Sequence, residues 1–456
     1  MPSSRYYSEV LDARKGRSAI ATASLRAGSC ILETQPAAVV SLTACGWCLA
    51  GRSPLSRCSG CRHVRYCSRS CQRLDWTQHR RECGAWRSIP ASSRSQTVLL
   101  VARLALQLFL PLKTASSHEN AVETQVLTLR HHLEDHTELQ RAQYREMTQL
   151  VLLLLSRSTL EAPDATLAEL QKTLESEIEQ LFGRVNCNAF SLASELANEP
   201  VGIGLFPEGA LFNHDCSPNC IVSFRGRQMR VHVVRDVAVG EELTVSYVEL
   251  LQSTSSRRRE LQTSYFFSCI CQRCSEALRT GESSEDWYLD GLACNNRHCG
   301  AEGVVVVDGE VAVCKRCGTA RDTAEIYRFE RELKAVGALQ GATTKDKWKN
   351  YQRAWELAVQ RLQLHPRNAR MAAMAREIGN FLADSTVSEL LSQQSLPFFL
   401  AELRAVEWLL PTMKLPSRGL LHLQIGRLMA EEALPLLEKT QRSEKAVRHL
   451  REALAM

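Results

Sequence analysis

Fifteen of the eighteen cysteines, together with His79, fall into four sets of four whose spacing suits tetrahedral zinc. The most telling set is split. Cys216 ends Asn213-His214-Asp215-Cys216, and Cys269-x-Cys271-x2-Cys274 begins 53 positions later. Three close thiols leave a tetrahedral ion one ligand short, and Cys216 can supply the fourth. Closing that site would draw the Asn213-His214 turn toward Tyr265-Phe266-Phe267, just ahead of Cys269. A strand expected to end in Tyr247 lies between them, and chemistry is expected where these segments converge.

Eight ligands crowd the first cluster: Cys45, Cys48, Cys58, Cys61, Cys67, Cys71, His79 and Cys83. They suffice for two tetrahedral sites, and His79 and Cys83, four apart, share one helix face. Cys294, Cys299, Cys314 and Cys317 make the last set, two knuckles separated by valine-rich strands at 304–307 and 311–313 around Asp308-Gly309. This predicts a small ribbon-like hairpin gripping zinc at its base. Closed tetrahedra leave no open position, so all four ions would be structural. Cys30, Cys187 and Cys220 are left over and read as small buried hydrophobes.

A chain of 456 residues is too long for one core, and two to four units are expected. Eighteen cysteines in CxxC-type pairs, with no signal-like stretch in MPSSRYYSEV, argue for metal binding in a reducing compartment, cytoplasm and nucleus, rather than disulfides. The longest aliphatic run, residues 150–155, is too short to span a bilayer, so no membrane association is expected. The formal charge of +6 is no argument for nucleic acid. Fifteen thiolates on four Zn²⁺ would bring it to about −1, and eight arginines against two acidic residues between Cys45 and Cys83 offset the zinc–thiolate cluster.

The segments around the split site have a distinctive order. Asn186-Cys187-Asn188-Ala189-Phe190 precedes Gly202-Ile203-Gly204-Leu205-Phe206-Pro207 and then Asn213-His214-Asp215-Cys216-Ser217-Pro218-Asn219-Cys220. Short strands at 221–224 and 229–234 are joined by a turn at Gly226. Gly240-Glu241-Glu242 then leads into Leu243–Tyr247, and Ser264-Tyr265-Phe266-Phe267-Ser268-Cys269 follows. Over residues 13–274 this order resembles the SET domain of protein lysine methyltransferases. The eight-ligand cluster resembles a MYND zinc finger, which narrows the resemblance to the SET-and-MYND-domain family.

That resemblance implies several things. In the finger, Cys45, Cys48, Cys67 and Cys71 would hold one ion, and Cys58, Cys61, His79 and Cys83 the other. S-adenosylmethionine would be the methyl donor, contacted by Lys15-Gly16-Arg17, His136, Asn188, Asn213, His214, Tyr265 and Phe267. Tyr247 would be the active-site tyrosine, with Phe190 and Tyr265 at the lysine channel. Partners would be proteins with an accessible lysine, histone or not, and proline-containing motifs docking on the finger. Nucleic acid is not expected, and a monomer is. The family commonly has glycine where this chain has Ser18, the only sequence hint of the alternative, a catalytically weak or inactive finger-based interaction protein or transcriptional co-regulator. It commonly has serine where this chain has Asp215, a change expected to strengthen or reorient His214.

The chemistry needs those residue types. Methyl transfer from a sulfonium is an in-line displacement, and positioning of that kind contributes roughly 7–11 kcal/mol. The attacking lysine must be neutral although its ordinary pKa is about 10.4, and a narrow apolar channel disfavours the ammonium.

The expected architecture is α+β and multidomain. The first part of a SET-type β-fold (1–44) is followed by the finger (45–83) and a helical insert (84–182). The catalytic core (183–250), a cysteine-rich post-SET zinc region (251–280), a zinc-ribbon-like module (290–320) and a helical lobe (321–456) complete it. In the insert, residues 98–110 are almost wholly apolar, and Leu167, Leu170, Leu174 and Leu181 mark one helix face, with Asp164 or Thr166 as its cap. Trp348, Tyr351, Trp355, Val359 and Leu362 predict another helix, stopping near His365-Pro366, with more helices at about 368–384, 386–410, 417–439 and 443–456. The resemblance implies a tetratricopeptide-like lobe, although no 34-residue repeat is visible.

Overall fold

The computed structural model describes residues 5–51, 54–87, 95–110, 124–158, 167–193, 200–279, 284–339, 343–383, 393–431 and 445–453. The chain divides into two compact units, Met1–Val245 with Gln262–Phe267, and Ser246–Leu261 with Ser268–Met456. No described helix is long and apolar enough to cross a membrane.

Short strands and several helices build the first unit. The strands are β1 (Tyr7–Asp12), β2 (Gly16–Ala21), β3 (Cys30–Thr34), β4 (Ala38–Val40), β5 (Ser56–Arg57) and β6 (Arg65–Tyr66), then β7 (Ala189–Ala193), β8 (Pro200–Leu205), β9 (Asn213–His214), β10 (Cys220–Arg225), β11 (Gln228–Val233) and β12 (Thr244–Val245). Gly226, at φ +58°, turns β10 into β11 as the sequence predicts, and β11 then pairs with β3. Along β11 the side chains alternate, with Met229, Val231 and Val233 buried and Arg230 and His232 on the other face. A second sheet runs β4-β8-β7, and β9 lies parallel to β12. The strand expected to end in Tyr247 stops at Val245, because its hydrogen bonding extends only as far as its two-residue partner.

The helices are α1 (Arg69–Arg87), α2 (Gln96–Phe109), α3 (Glu138–Ser156) and α4 (Leu167–Asn188). Ser95 caps α2 by accepting from the Val98 amide at 3.1 Å, and Thr137 with Gln140 forms a capping box on α3. Residues 98–106 of α2 are all buried, so this helix is the axis of the core rather than an amphipathic edge. On α4, Leu181 is fully buried and Leu174 packs against the same core. The expected cap at Asp164 or Thr166 and the side chains of Leu167 and Leu170 lie outside the described residues.

One polar side chain interrupts the buried face of α2. Arg103 donates to the Val39 carbonyl at 2.7 Å, pairs with Glu82 of α1 and stands 3.8 Å from Asp75. Burial would raise the Glu82 carboxyl, but the Arg103 guanidinium and the His79 ring together hold that group below its ordinary range. Tyr66 donates to Asp75 at 2.6 Å, and Glu82 lies 3.5 Å from the His79 ring. This network joins the small finger to β4 and α2. Arg103→Ala would strand two buried carboxylates and should destabilise the protein by about 3–5 kcal/mol in a denaturant titration.

The second unit holds α5 (Thr254–Ser264), α6 (Gln272–Arg279) and α7 (Ser284–Asp290), of which α5 runs on into the first unit. Then come β13 (Leu292–Ala293), β14 (Val304–Asp308) and β15 (Val311–Cys314), with α8 (Thr323–Gly337), α9 (Thr344–Glu356), α10 (Ala369–Ala383), α11 (Leu396–Leu409) and α12 (Pro416–Glu431). The hairpin about Asp308-Gly309 forms as expected, and β13 adds a third strand. Trp348 and Tyr351 reach the Phe381 ring and Trp355 the Phe398 ring, so this half-buried aromatic stripe packs against neighbouring helices. Val359 departs from the predicted stripe and is 42% exposed. A wide π turn at Leu357–Leu362 rotates the side chains that follow Glu356 and returns Leu362 to the interior, where the helix ends. Of the helix expected at 386–410 the described part begins at Leu396, and residues 445–453 are helical.

Candidate functional site

Three of the four ligand sets lie each within a single unit. Cys45, Cys48, Cys67 and Cys71 present sulfurs within 4.8 Å of one another, as do Cys58, Cys61, Cys83 and the His79 ring, and Cys294, Cys299, Cys314 and Cys317. Cys48 and Cys67 are 3.5 Å apart, Cys58 and Cys83 3.8 Å, and Cys299 and Cys314 3.6 Å. Zinc bonds of about 2.3 Å in a tetrahedron require sulfurs about 3.8 Å apart, so these donors fit the ion. Burial, then the Cys61 and Cys58 sulfurs, push the Cys83 thiol up to about 12. Such crowded thiols ionise together only around a cation, and zinc would supply it.

The His79 ring turns Nε2 to Cys61 at 3.5 Å and Nδ1 toward Glu82, an orientation that suits an imidazole ligand backed by a carboxylate. In the ribbon, a Cβ on Gly303 would meet the Cys299 sulfur at 2.5 Å, so only glycine lets this strand approach the knuckle. Cys269, Cys271 and Cys274 belong to the second unit, and fully buried Cys216 to the first, where its sulfur is 3.2 Å from His214 Nε2. Of the unassigned thiols, Cys220 is buried and Cys30 and Cys187 are half-buried.

The loop joining β1 to β2 carries Lys15-Gly16-Arg17. Asp12 accepts from the Arg14 and Lys15 amides at 2.7 and 2.9 Å, and these bonds hold its carboxyl below the ordinary range. Gly16 adopts φ +79°, and a Cβ there would meet no heavy atom within 4 Å. The backbone of this loop, hereafter the cradle, is thus open on the side where a Gly16 Cβ would stand.

Asn213 of β9 closes one side of this cradle. Its amide nitrogen donates toward the Arg17 carbonyl at 2.9 Å, Ser18 Oγ at 2.9 Å and Glu242 Oε1 at 3.0 Å. Glu242 Oε2 meets the Lys15 ammonium at 2.5 Å. The carboxylate and the carbonyl only accept, and this fixes which end of the amide faces them. Asn219, 1% exposed, donates to the Glu242 carbonyl at 2.8 Å and accepts from the Thr244 amide at 2.8 Å, locking the turn that carries Glu242. Glu242, Ser18 and Asn219 were not singled out as site residues by spacing. Ser18 and Glu242 pair with Asn213 and Lys15 across 195 and 227 positions, whereas Asn219 is tied to Glu242 and Thr244 within 25.

The aromatic residues sort into two groups. Phe267 lies 6.1 Å from the His214 ring, centroid to centroid. Phe266 takes a left-handed backbone, φ +61°, and is packed by His132 at 5.5 Å and His136 at 4.4 Å. Tyr265, Phe266 and Phe267 are all half-buried. Both nitrogens of His136 are engaged, Nδ1 with the His132 carbonyl at 2.6 Å and Nε2 with the Tyr144 hydroxyl at 3.0 Å. Asn188 ends α4 by donating to the Arg130 and Arg184 carbonyls at 3.0 and 2.8 Å. Phe190 stands edge-on to Phe206 at 6.0 Å. Tyr247 is half-buried and follows β12 by two residues, in the second unit.

Residues 45–83 match the MYND finger family model. Over 370 residues the chain is 31% identical to the histone-lysine N-methyltransferase ASHR1 of Arabidopsis thaliana, covering 77% of this chain and 72% of that one. The chain belongs to the SET-and-MYND family of protein lysine methyltransferases. It is also 32% identical over 268 residues to the human histone-lysine N-methyltransferase SMYD3, and 33% over 236 residues to the N-lysine methyltransferase SMYD2-B of Danio rerio. These matches cover 58% and 51% of this chain and 60% and 50% of the animal relatives. Within the family's α+β plan, the ribbon is a further closed ligand set beyond the finger. Cys314→Ser should therefore lower the zinc count by one in native mass spectrometry and leave the two finger ions in place.

Proposed function

We propose that this SET-and-MYND protein transfers the methyl group of S-adenosylmethionine to the lysine side chain of protein substrates, histone or non-histone. The observation that carries it is the cradle itself: an open backbone at Gly16, an ammonium at Lys15, and an Asn213 amide oriented by three acceptors. Bound there, S-adenosylmethionine would supply a sulfonium-activated methyl group. Lys15, Gly16 and Arg17 would hold its amino-acid end with Asn188 and Asn213, while His214, Tyr265 and Phe267 border its other side. His136, whose ring nitrogens are already engaged, would act through its hold on Phe266.

The remaining residues would work on the substrate. Phe190 and Tyr265 would wall a narrow channel whose apolar lining favours the neutral amine, and Tyr247 would fix the direction of its lone pair. Cys216 with Cys269, Cys271 and Cys274 would make an all-thiolate ligand set, the third of four structural zinc sites in this proposal. So many thiols are best kept in a reducing compartment, cytoplasm or nucleus. The finger would recruit proline-containing protein segments. Ser18, 3% exposed, turns its hydroxyl to Asn213, and the alternative of a catalytically weak or inactive finger-based co-regulator is separated by an assay of methyl transfer.

Labelled S-adenosylmethionine with histones or a lysate tests the activity, and cofactor binding without any transferred label would overturn it. Tyr247→Phe should cut methyl transfer about a hundredfold with cofactor affinity unchanged. Ser18→Ala removes one net hydrogen bond of about 0.5–1.5 kcal/mol and should weaken cofactor binding about threefold to tenfold by calorimetry.

A further inference from the structure

The segment that carries Tyr247 belongs to the helical unit. Ser246–Leu261 cluster with Ser268–Met456 although they directly continue β12 of the first unit. Between Val245 and Thr254 the backbone has no regular partner strand, so its polar groups and side chains need other ties. The structure provides several. Val248, Leu250 and Leu251 are 8%, 9% and 5% exposed. Arg273 of α6, itself paired with Glu285 of α7, donates to the Leu250 carbonyl at 3.2 Å. Asp286 of α7 accepts from the Thr254 amide at 2.8 Å.

One tie close to the tyrosine in sequence is ionic. Arg376, on α10, donates through Nη1 to Glu249 at 2.9 Å and through Nε to Glu402 of α11 at 2.6 Å. Glu402 keeps only 7% of its side-chain exposure, whereas Glu249 keeps 46%. Glu402, the more buried of the two carboxylates, holds the guanidinium between α10 and α11. The rigid fork then offers a pre-set point to the chain at Glu249. Two residues of chain, at most about 7 Å, separate that point from Tyr247.

We propose that Arg376 and Glu249 are positioning residues through which the helical lobe sets the place of Tyr247. The lobe thereby has a role in turnover beyond any contact with substrate. Glu402 is the anchor that makes Arg376 a fixed point, and Glu249 is the link. This inference rests on the methyltransferase reading for its kinetic consequence only, since the tether itself can be observed without turnover.

Glu249→Gln cuts the link and leaves the Arg376–Glu402 pair in place, so the full-length protein should keep its melting temperature. In hydrogen exchange, amides of residues 246–251 should exchange faster in the variant, with those of α10 unchanged. With a methyl-accepting lysine protein, kcat should fall about five- to tenfold, while cofactor Kd stays at the wild-type value. Arg376→Lys, which retains a charge at the anchor, should lie between the wild type and Glu249→Gln. Unchanged exchange in Glu249→Gln overturns the tether. Faster exchange with wild-type kcat overturns its positioning role. Wild-type protein that binds cofactor but transfers no methyl group overturns the methyltransferase reading and the kinetic role with it, whereas the exchange result still decides the tether.

Discussion

Crowded sulfurs repel one another once ionised, and only a cation among them lets the chain around them stay folded. This constraint recurs along the protein. In the finger it fixes two short strands and a helix that could not form a core alone, and in the ribbon it brings two knuckles to the base of a hairpin. Metal alone does not integrate the finger. Arg103 gathers Glu82, Asp75 and the Val39 carbonyl behind the His79 ligand, so the groups that back one zinc set also form the joint between finger and strand core.

The cradle relies on a different economy of polar groups. One carboxylate serves two masters, Lys15 on one oxygen and Asn213 on the other, while Asn219 holds the backbone that bears it. The loop after β1, the start of β9 and the turn before β12 are therefore set by the same few hydrogen bonds. Ser18 joins this set, and its hydroxyl does not intrude on the open side at Gly16.

Much of this was legible in the sequence because ligand spacing and turn chemistry are local. The pairs at Cys45-x2-Cys48 and Cys314-x2-Cys317, the turns at Gly226 and Gly309, and the apolar run of α2 all express rules acting over a few residues. What stayed hidden is non-local or subtle. Nothing in the neighbourhood of Glu242 announces that its side chain meets Lys15, 227 positions away. The π turn at Leu357–Leu362 needs only one extra residue per turn, which leaves hydrophobic spacing nearly intact yet moves Val359 to the surface. The early stop of β12 is likewise set by the shortness of β9, not by any breaker ahead of Tyr247.

The chain crosses between its units at Val245–Ser246, returns for Gln262–Phe267, and leaves again at Ser268. A ribosome delivers residues in order, so the first unit still lacks its final aromatic piece until residue 267 has cleared the exit tunnel. Neither half can be lifted out as one continuous stretch, and a limited protease acting between them would have to cut three times.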